Sequence, residues 1–185
     1  MNVGLFGGAF DPPHLGHVKL ACAAKELLGL DRLIVLVTAR PGHKAVDTPA
    51  DLRLEMARAA FPDDDVVLDD HARTIDLLRD HPEWEDAWFV LGADEFSDFR
   101  SWKEPNEVLD RVRLAVGTRP GFPPEQLQAV LDELELPERV QLFAMEPVPA
   151  ASRDLRVGFV ESDVPPSVAQ IIRRERLYRA EPRVH

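Results

Sequence analysis

The sequence has 185 residues, 45% of them hydrophobic and 30% charged, with a formal net charge of -11. A chain of this length buries about two thirds of the surface its unfolded form exposes, so a substantial core is expected. The acidic balance argues against a broad, sequence-independent grip on nucleic acid, and no apolar run approaches the roughly 20 residues that span a bilayer.

Near the start, Val3, Leu5 and Phe6 lead directly into two glycines, without the basic flank and long apolar stretch of an export signal. The single cysteine, Cys22, can form no intramolecular disulfide. Its place in an apolar helical pattern predicts a small buried thiol, and a reducing, cytoplasmic setting fits. Asn2 to Phe6 reads as a buried strand and Gly7 to Pro13 as a glycine and proline loop. Leu20, Ala21, Ala24, Leu27 and Leu28 then recur at helical spacing up to Gly29.

Leu33 to Val37 has the composition of a strand covered on both faces. Leu52, Met56, Ala59 and Ala60 give a second helical stripe, with Thr48 as its expected cap. Further strands are expected at Asp65 to Leu68, Trp88 to Leu91, Val112 to Val116 and Val140 to Phe143, and helices at Pro123 to Leu134 and Pro166 to Tyr178. Arg173, Arg174, Arg176 and Arg179 read as a solvated helix face, and the tail from 180 to 185 as frayed. Alternating strand, loop and helix predict one α/β domain over 1–185 with an open, mostly parallel sheet. In such sheets ligands bind beyond the carboxyl ends of the strands.

The densest chemistry lies in Gly7-Gly8-Ala9-Phe10-Asp11-Pro12-Pro13-His14-Leu15-Gly16-His17. A strand, a glycine loop and a helix start bring backbone amides and the positive end of a helix dipole to one place, which suits phosphate. Gly7 and Gly8 let the backbone approach a phosphate, and Gly16 leaves room between the histidines. His14 and His17, three apart, can converge on one anion or act as ordinary capping residues. The glycine spacing fits neither a Walker loop nor a dinucleotide fingerprint. Two histidines without a third and fourth ligand make a poor zinc site.

This segment resembles the opening motif of the nucleotidyltransferase superfamily with the His-x-Gly-His signature, and most closely the bacterial nicotinate-nucleotide adenylyltransferases. The resemblance spans nearly the whole chain. It implies a Rossmann-like, doubly wound sheet with a small C-terminal helical part, and transfer of AMP from ATP to nicotinate mononucleotide with release of pyrophosphate. It implies His14, His17 and Arg156 as catalytic donors to the triphosphate, with Gly7, Gly8, Ala9, Phe10, Gly16, Gly92, Asp94 and Ser152 also on the ATP side.

For the acceptor the resemblance implies Lys44, beside His43, then Thr74 and Trp102, with Arg119 meeting phosphate. Mg²⁺ is implied as a cofactor bound mainly through ATP phosphates. Asp94 fits either the ribose or a helix cap, and Trp102 either an acceptor ring or the core. Ala72 and Arg73 replace the family's serine and tyrosine, and Ala151 and Arg153 replace a serine and a threonine. Arg73 can pair with a nicotinate carboxylate or serve as a surface residue. Those departures leave three alternatives open: nicotinamide mononucleotide or phosphopantetheine as acceptor, a CTP-dependent transfer to a phosphoalcohol, or a nucleotide-binding module without turnover.

Overall fold

A computed structural model describes residues 1–42, 46–148 and 150–178, so the tail from 180 to 185 and Arg179 lie outside the described residues. Among the described residues six strands form one sheet: β1 (Val3–Gly8), β2 (Arg32–Thr38), β3 (Asp65–Asp69), β4 (Trp88–Gly92), β5 (Arg113–Thr118) and β6 (Val140–Ala144). Their order is β3-β2-β1-β4-β5-β6 and every pairing is parallel. The expectation of a mostly parallel sheet thus becomes an entirely parallel, doubly wound one.

The reason lies in side-chain alternation. Phe6, Leu33, Val35, Val37, Val90 and Ala115 enter one apolar core, while Leu5, Ile34, Leu36, Phe89, Leu91, Leu114 and Val116 enter a second on the other face. Strands buried on both sides need helices on both sides, which right-handed crossovers supply. On the first face lie α1 (Leu15–Leu28), α2 (Ala50–Ala60), α7 (Ser152–Val157) and α8 (Pro166–Glu175). The second carries α3 (Thr74–Asp80), α4 (Ala93–Ser97), α5 (Pro105–Arg111) and α6 (Pro124–Leu131). Among the described residues no helix is long and apolar enough to cross a membrane.

The order in which successive strands are added to the sheet reverses about the β1/β4 pair. There β1 pairs with β4 at Gly4–Trp88 and Leu5–Phe89, but stays paired with β2 as far as Gly8–Val37. The two central strands part toward their carboxyl ends, opening a crevice at the switch point of the sheet.

Several local expectations change. α1 ends as expected at Gly29, whose φ of 59° is left-handed. Cys22 is exposed, because the buried face of α1 runs through Leu20, Ala21 and Ala24 and turns residue 22 outward; Leu27 is likewise exposed. The buried face of α2 is Arg53, Met56, Ala57 and Ala60, so Met56 and Ala60 of the expected stripe are buried while Leu52 and Ala59 are only half-buried. Pro49, not Thr48, is its N-cap. α8 stops at Glu175, three residues short of the expected end, where Arg176 turns left-handed with φ 58°. Arg173 and Arg174 lie on the solvated face, paired with Glu161 and Glu55.

Candidate active site

The loop from β1 to α1 is held by its own histidines. His14 is the N-cap of α1, and its Nδ1 accepts from the Gly16 amide at 3.0 Å. His17, at the third helical position, returns the arrangement: its Nδ1 accepts from the His14 amide at 3.1 Å. This is a capping box built from imidazoles. A ring nitrogen that accepts carries no proton, so each neutral ring bears its proton on Nε2, as a donor. The rings stack with centroids 3.8 Å apart. Burial pushes the His14 pKa down to about 4, so at neutral pH it presents an uncharged N–H. The capping reading and the anion-donor reading are therefore compatible, one nitrogen serving each.

Gly16 is required by the same geometry. A Cβ there would stand 2.8 Å from Cε1 and Nδ1 of His14. Phe10, with φ 50°, is buried beneath this pair, edge to face with His17 at 5.0 Å and packed against Phe6 and Phe61. Its side chain supports the loop from below.

The late helix closes on this loop. Ser152 Oγ donates to the Pro12 carbonyl at 2.8 Å, and Arg156 Nη1 donates to the Asp11 carbonyl at 2.8 Å. Both expected triphosphate residues thus stand against the loop that leads to His14, Ser152 with its one donor engaged by the loop backbone and Arg156 with one of several. The third link was not foreseen. Arg53, 1% exposed, sends its guanidinium to the carbonyls of Ala9, Thr38, Ala39 and Thr48, at 2.7 to 3.0 Å. One buried side chain ties together the loops after β1 and β2 and the approach to α2.

Beside the opening between β1 and β4 lies a cleft of about 300 Å³, walled in part by Gly7, Gly8, Ala9, Arg73, Thr74 and Trp102. It brings together the expected backbone of the ATP loop and three of the expected acceptor residues. Trp102 is half-buried against Phe89 and Phe99, at 6.0 and 5.1 Å between centroids. Arg73 is exposed and reaches over Gly42, where an added Cβ would lie 3.1 Å from its Nη1. His71, also in the wall, was missed in the sequence. Its Nδ1 lies 2.8 Å from Asp69 Oδ1 and its Nε2 3.0 Å from Asp80 Oδ2. The hydrogen bond to Asp80 raises its pKa, burial opposes the rise, and Asp69 adds to it.

Asp94 and Arg119 stand apart from that wall. Gly92 of β4 is in register with Gly117 of β5, and two residues beyond each, Arg119 Nη2 donates to Asp94 Oδ2 at 3.0 Å. The N-cap of α4 is Gly92, so Asp94 is not a cap. Lys44 and His43 lie outside the described residues.

A family profile described as cytidylyltransferase-like matches residues 5–157. The chain belongs to the cytidylyltransferase-like family. A Thermus thermophilus protein named probable nicotinate-nucleotide adenylyltransferase is 37% identical over 196 residues, covering 97% of this chain and 100% of that one. A Rubrobacter xylanophilus protein of the same name is 32% identical over 202 residues, covering 99% and 94%. These full-length likenesses place the chain among the nicotinate-nucleotide adenylyltransferases, as a nucleotidyltransferase. The fold is also that of a solved structure of Plasmodium falciparum nicotinic acid mononucleotide adenylyltransferase complexed with NaAD, with a TM-score of 0.74 at 18% identity over 96% of this chain and 97% of that one.

Proposed function

We propose that this nucleotidyltransferase joins the AMP part of ATP to nicotinate mononucleotide, forming nicotinate adenine dinucleotide and pyrophosphate for NAD biosynthesis. The observation that carries the reading is that the segment running from β1 into the imidazole-capped start of α1 also walls, through Gly7, Gly8 and Ala9, the cleft of Arg73, Thr74 and Trp102. One sheet carries both, so residues 1–185 are proposed to act as a single domain.

The acceptor's 5′-phosphate is already ionised, and its oxygen attacks the α-phosphorus of ATP as the bond to the pyrophosphate oxygen breaks. No covalent enzyme intermediate is needed, and catalysis rests on alignment and on donors aimed where charge grows. His14 and His17 offer Nε2–H groups and Arg156 a guanidinium to the triphosphate, and Ser152 serves it by turning its single hydroxyl proton away from the Pro12 carbonyl. The backbone of Gly7, Gly8, Ala9 and Phe10, with Gly16 giving the rings room, shapes the approach. Asp94 and Gly92 belong to the ribose side. Lys44 and Arg119 are proposed for the acceptor phosphate, Trp102 and Thr74 for its ring, and Arg73 for its carboxylate.

Among the described residues no three His, Cys, Asp or Glu side chains gather to hold a metal ion. Mg²⁺ brought in on ATP fits such a site, because it keeps phosphate and water ligands and neutralises the phosphates there. The setting we propose is cytoplasmic, in keeping with a single cysteine that can form no intramolecular disulfide.

The test is pyrophosphate release with ATP and Mg²⁺ across nicotinate mononucleotide, nicotinamide mononucleotide and phosphopantetheine. Preference for the first is expected, and activity confined to either other acceptor overturns the assignment. His17→Ala should lower turnover about a hundredfold or more with the fold intact, the cost of losing an oxyanion-type donor.

A further inference from the structure

We propose that Tyr178 is a positioning residue for nucleotidyl transfer, its hydroxyl fixing the Asp11 carboxylate and, through it, the loop that carries His14. The inference rests on the nucleotidyl-transfer reading above.

Asp11 is 1% exposed, in the segment that leads to His14. Its carboxylate is shared between two distant parts of the chain: Oδ1 accepts from the Tyr178 hydroxyl, and Oδ2 accepts from the Asp47 amide at 2.7 Å. Its main-chain carbonyl holds Arg156 Nη1. The phenol oxygen is itself an acceptor, taking the Thr48 hydroxyl at 2.8 Å. Tyr178 thus joins the loop after β1 to the approach of α2 across 167 and 130 residues of sequence.

The chain adopts an unfavourable backbone to make this contact. Tyr178 has φ 52°, a left-handed conformation that a side-chain-bearing residue keeps only where its contacts hold it there. A buried carboxylate also needs a compensating charge. Arg53 supplies one, interacting electrostatically with Asp11. Burial, reinforced by the bond to Asp11, raises the Tyr178 pKa, so the phenol stays protonated and remains a donor throughout the working range.

Nothing places the phenol against a reacting atom; its route to the chemistry is Asp11. That residue carries the carbonyl on which Arg156 rests and lies three residues before the N-cap histidine. A small shift at Asp11 moves both sets of donors, and sub-ångström misplacement is costly when a reaction depends on alignment.

The experiment is a cycle of Tyr178→Phe, Asp11→Asn and the double variant, with kcat and KM measured for both substrates. Gly16 amide exchange, which reports the bond to His14 Nδ1, is followed alongside. Tyr178→Phe keeps the ring and removes the hydroxyl, and far-UV circular dichroism should be unchanged. Expected are a kcat about tenfold lower with both KM values within twofold, and Gly16 exchange about tenfold faster. The double variant should match Asp11→Asn alone, which a merely structural loss of stability would not produce. A kcat within twofold of the parent, or losses that multiply in the double variant, overturns the proposal. If the parent protein turns over no acceptor, the transfer reading fails; Gly16 exchange then decides, and an unchanged rate overturns the positioning role.

Discussion

His14 and His17 stack at 3.8 Å, and each offers its Nδ1 to a backbone amide of the same turn. Both rings are thereby fixed in one tautomer and one orientation before any ligand arrives. In the proposed transfer their value would lie in preorganisation: donors already aimed need no reorganisation when charge develops.

Gly16→Ala tests how tightly that pair is packed. The new methyl would lie 2.8 Å from the His14 ring, so the ring must move or the turn must open. Overpacking of this kind costs about 1–3 kcal/mol, and displacement of the donor should lower kcat about a hundredfold. Urea unfolding and steady-state kinetics read the two effects separately.

Acid should expose the buried state of His14. Its pKa is about 4 in the folded protein against an ordinary 6.5. Between those values the unfolded chain takes up a proton that the folded chain refuses. Stability from this group is therefore full above pH 6.5 and lost as pH falls toward 4, about 3 kcal/mol in all. His14→Asn, which retains an N-cap acceptor, should flatten the pH dependence of the urea midpoint by about that amount. An NMR titration of the wild-type ring should give a midpoint near the lowered value.

Arg73→Gln removes the charged fork from the cleft while keeping a polar side chain. If the guanidinium meets the nicotinate carboxylate, KM for nicotinate mononucleotide should rise about tenfold to a hundredfold, the worth of a charge-assisted hydrogen bond. KM for ATP should hold, and the preference over nicotinamide mononucleotide should shrink. Competition kinetics with both acceptors measures this directly.

Arg53→Met tests the clamp beneath the site. The substitution suits a buried environment but leaves the carbonyls of Ala9, Thr38, Ala39 and Thr48 without their shared donor. A loss of about 3 kcal/mol or more is expected, which for a chain of this size lowers Tm by about 10 °C. Calorimetry checks it.

Much of the fold and loop could be read from the sequence because the signals were local. Six apolar runs marked six strands, and the glycines and histidines between Gly7 and His17 sat where a strand meets a helix. The face of α2 was misread because an arginine on an apolar stripe normally points to solvent. Arg53 is buried because four carbonyls converge on it, and convergence leaves no periodicity. The contact between Asp11 and Tyr178 was hidden for the same reason. Short helices such as α4, five residues long, span too few turns to show a stripe. Resemblance pointed to Arg156 and Ser152 as triphosphate residues, but nothing in the sequence marked their rest positions on the Asp11 and Pro12 carbonyls.

The parting of β1 from β4 after Leu5 and Phe89 divides the molecule's tasks between two sets of residues. Most side chains of β1, β2, β4 and β5 are committed to the two cores, so they keep the fold whatever substrate is bound. On the function proposed above, acceptor recognition falls to short segments beyond the strand ends, Arg73 and Thr74 after β3 and Trp102 after β4. Such segments can be exchanged without repacking the interior. A relative's stretch grafted between β3 and α3 should therefore change which acceptor is chosen while the unfolding transition stays where it was, so that selectivity and robustness can vary independently in this scaffold.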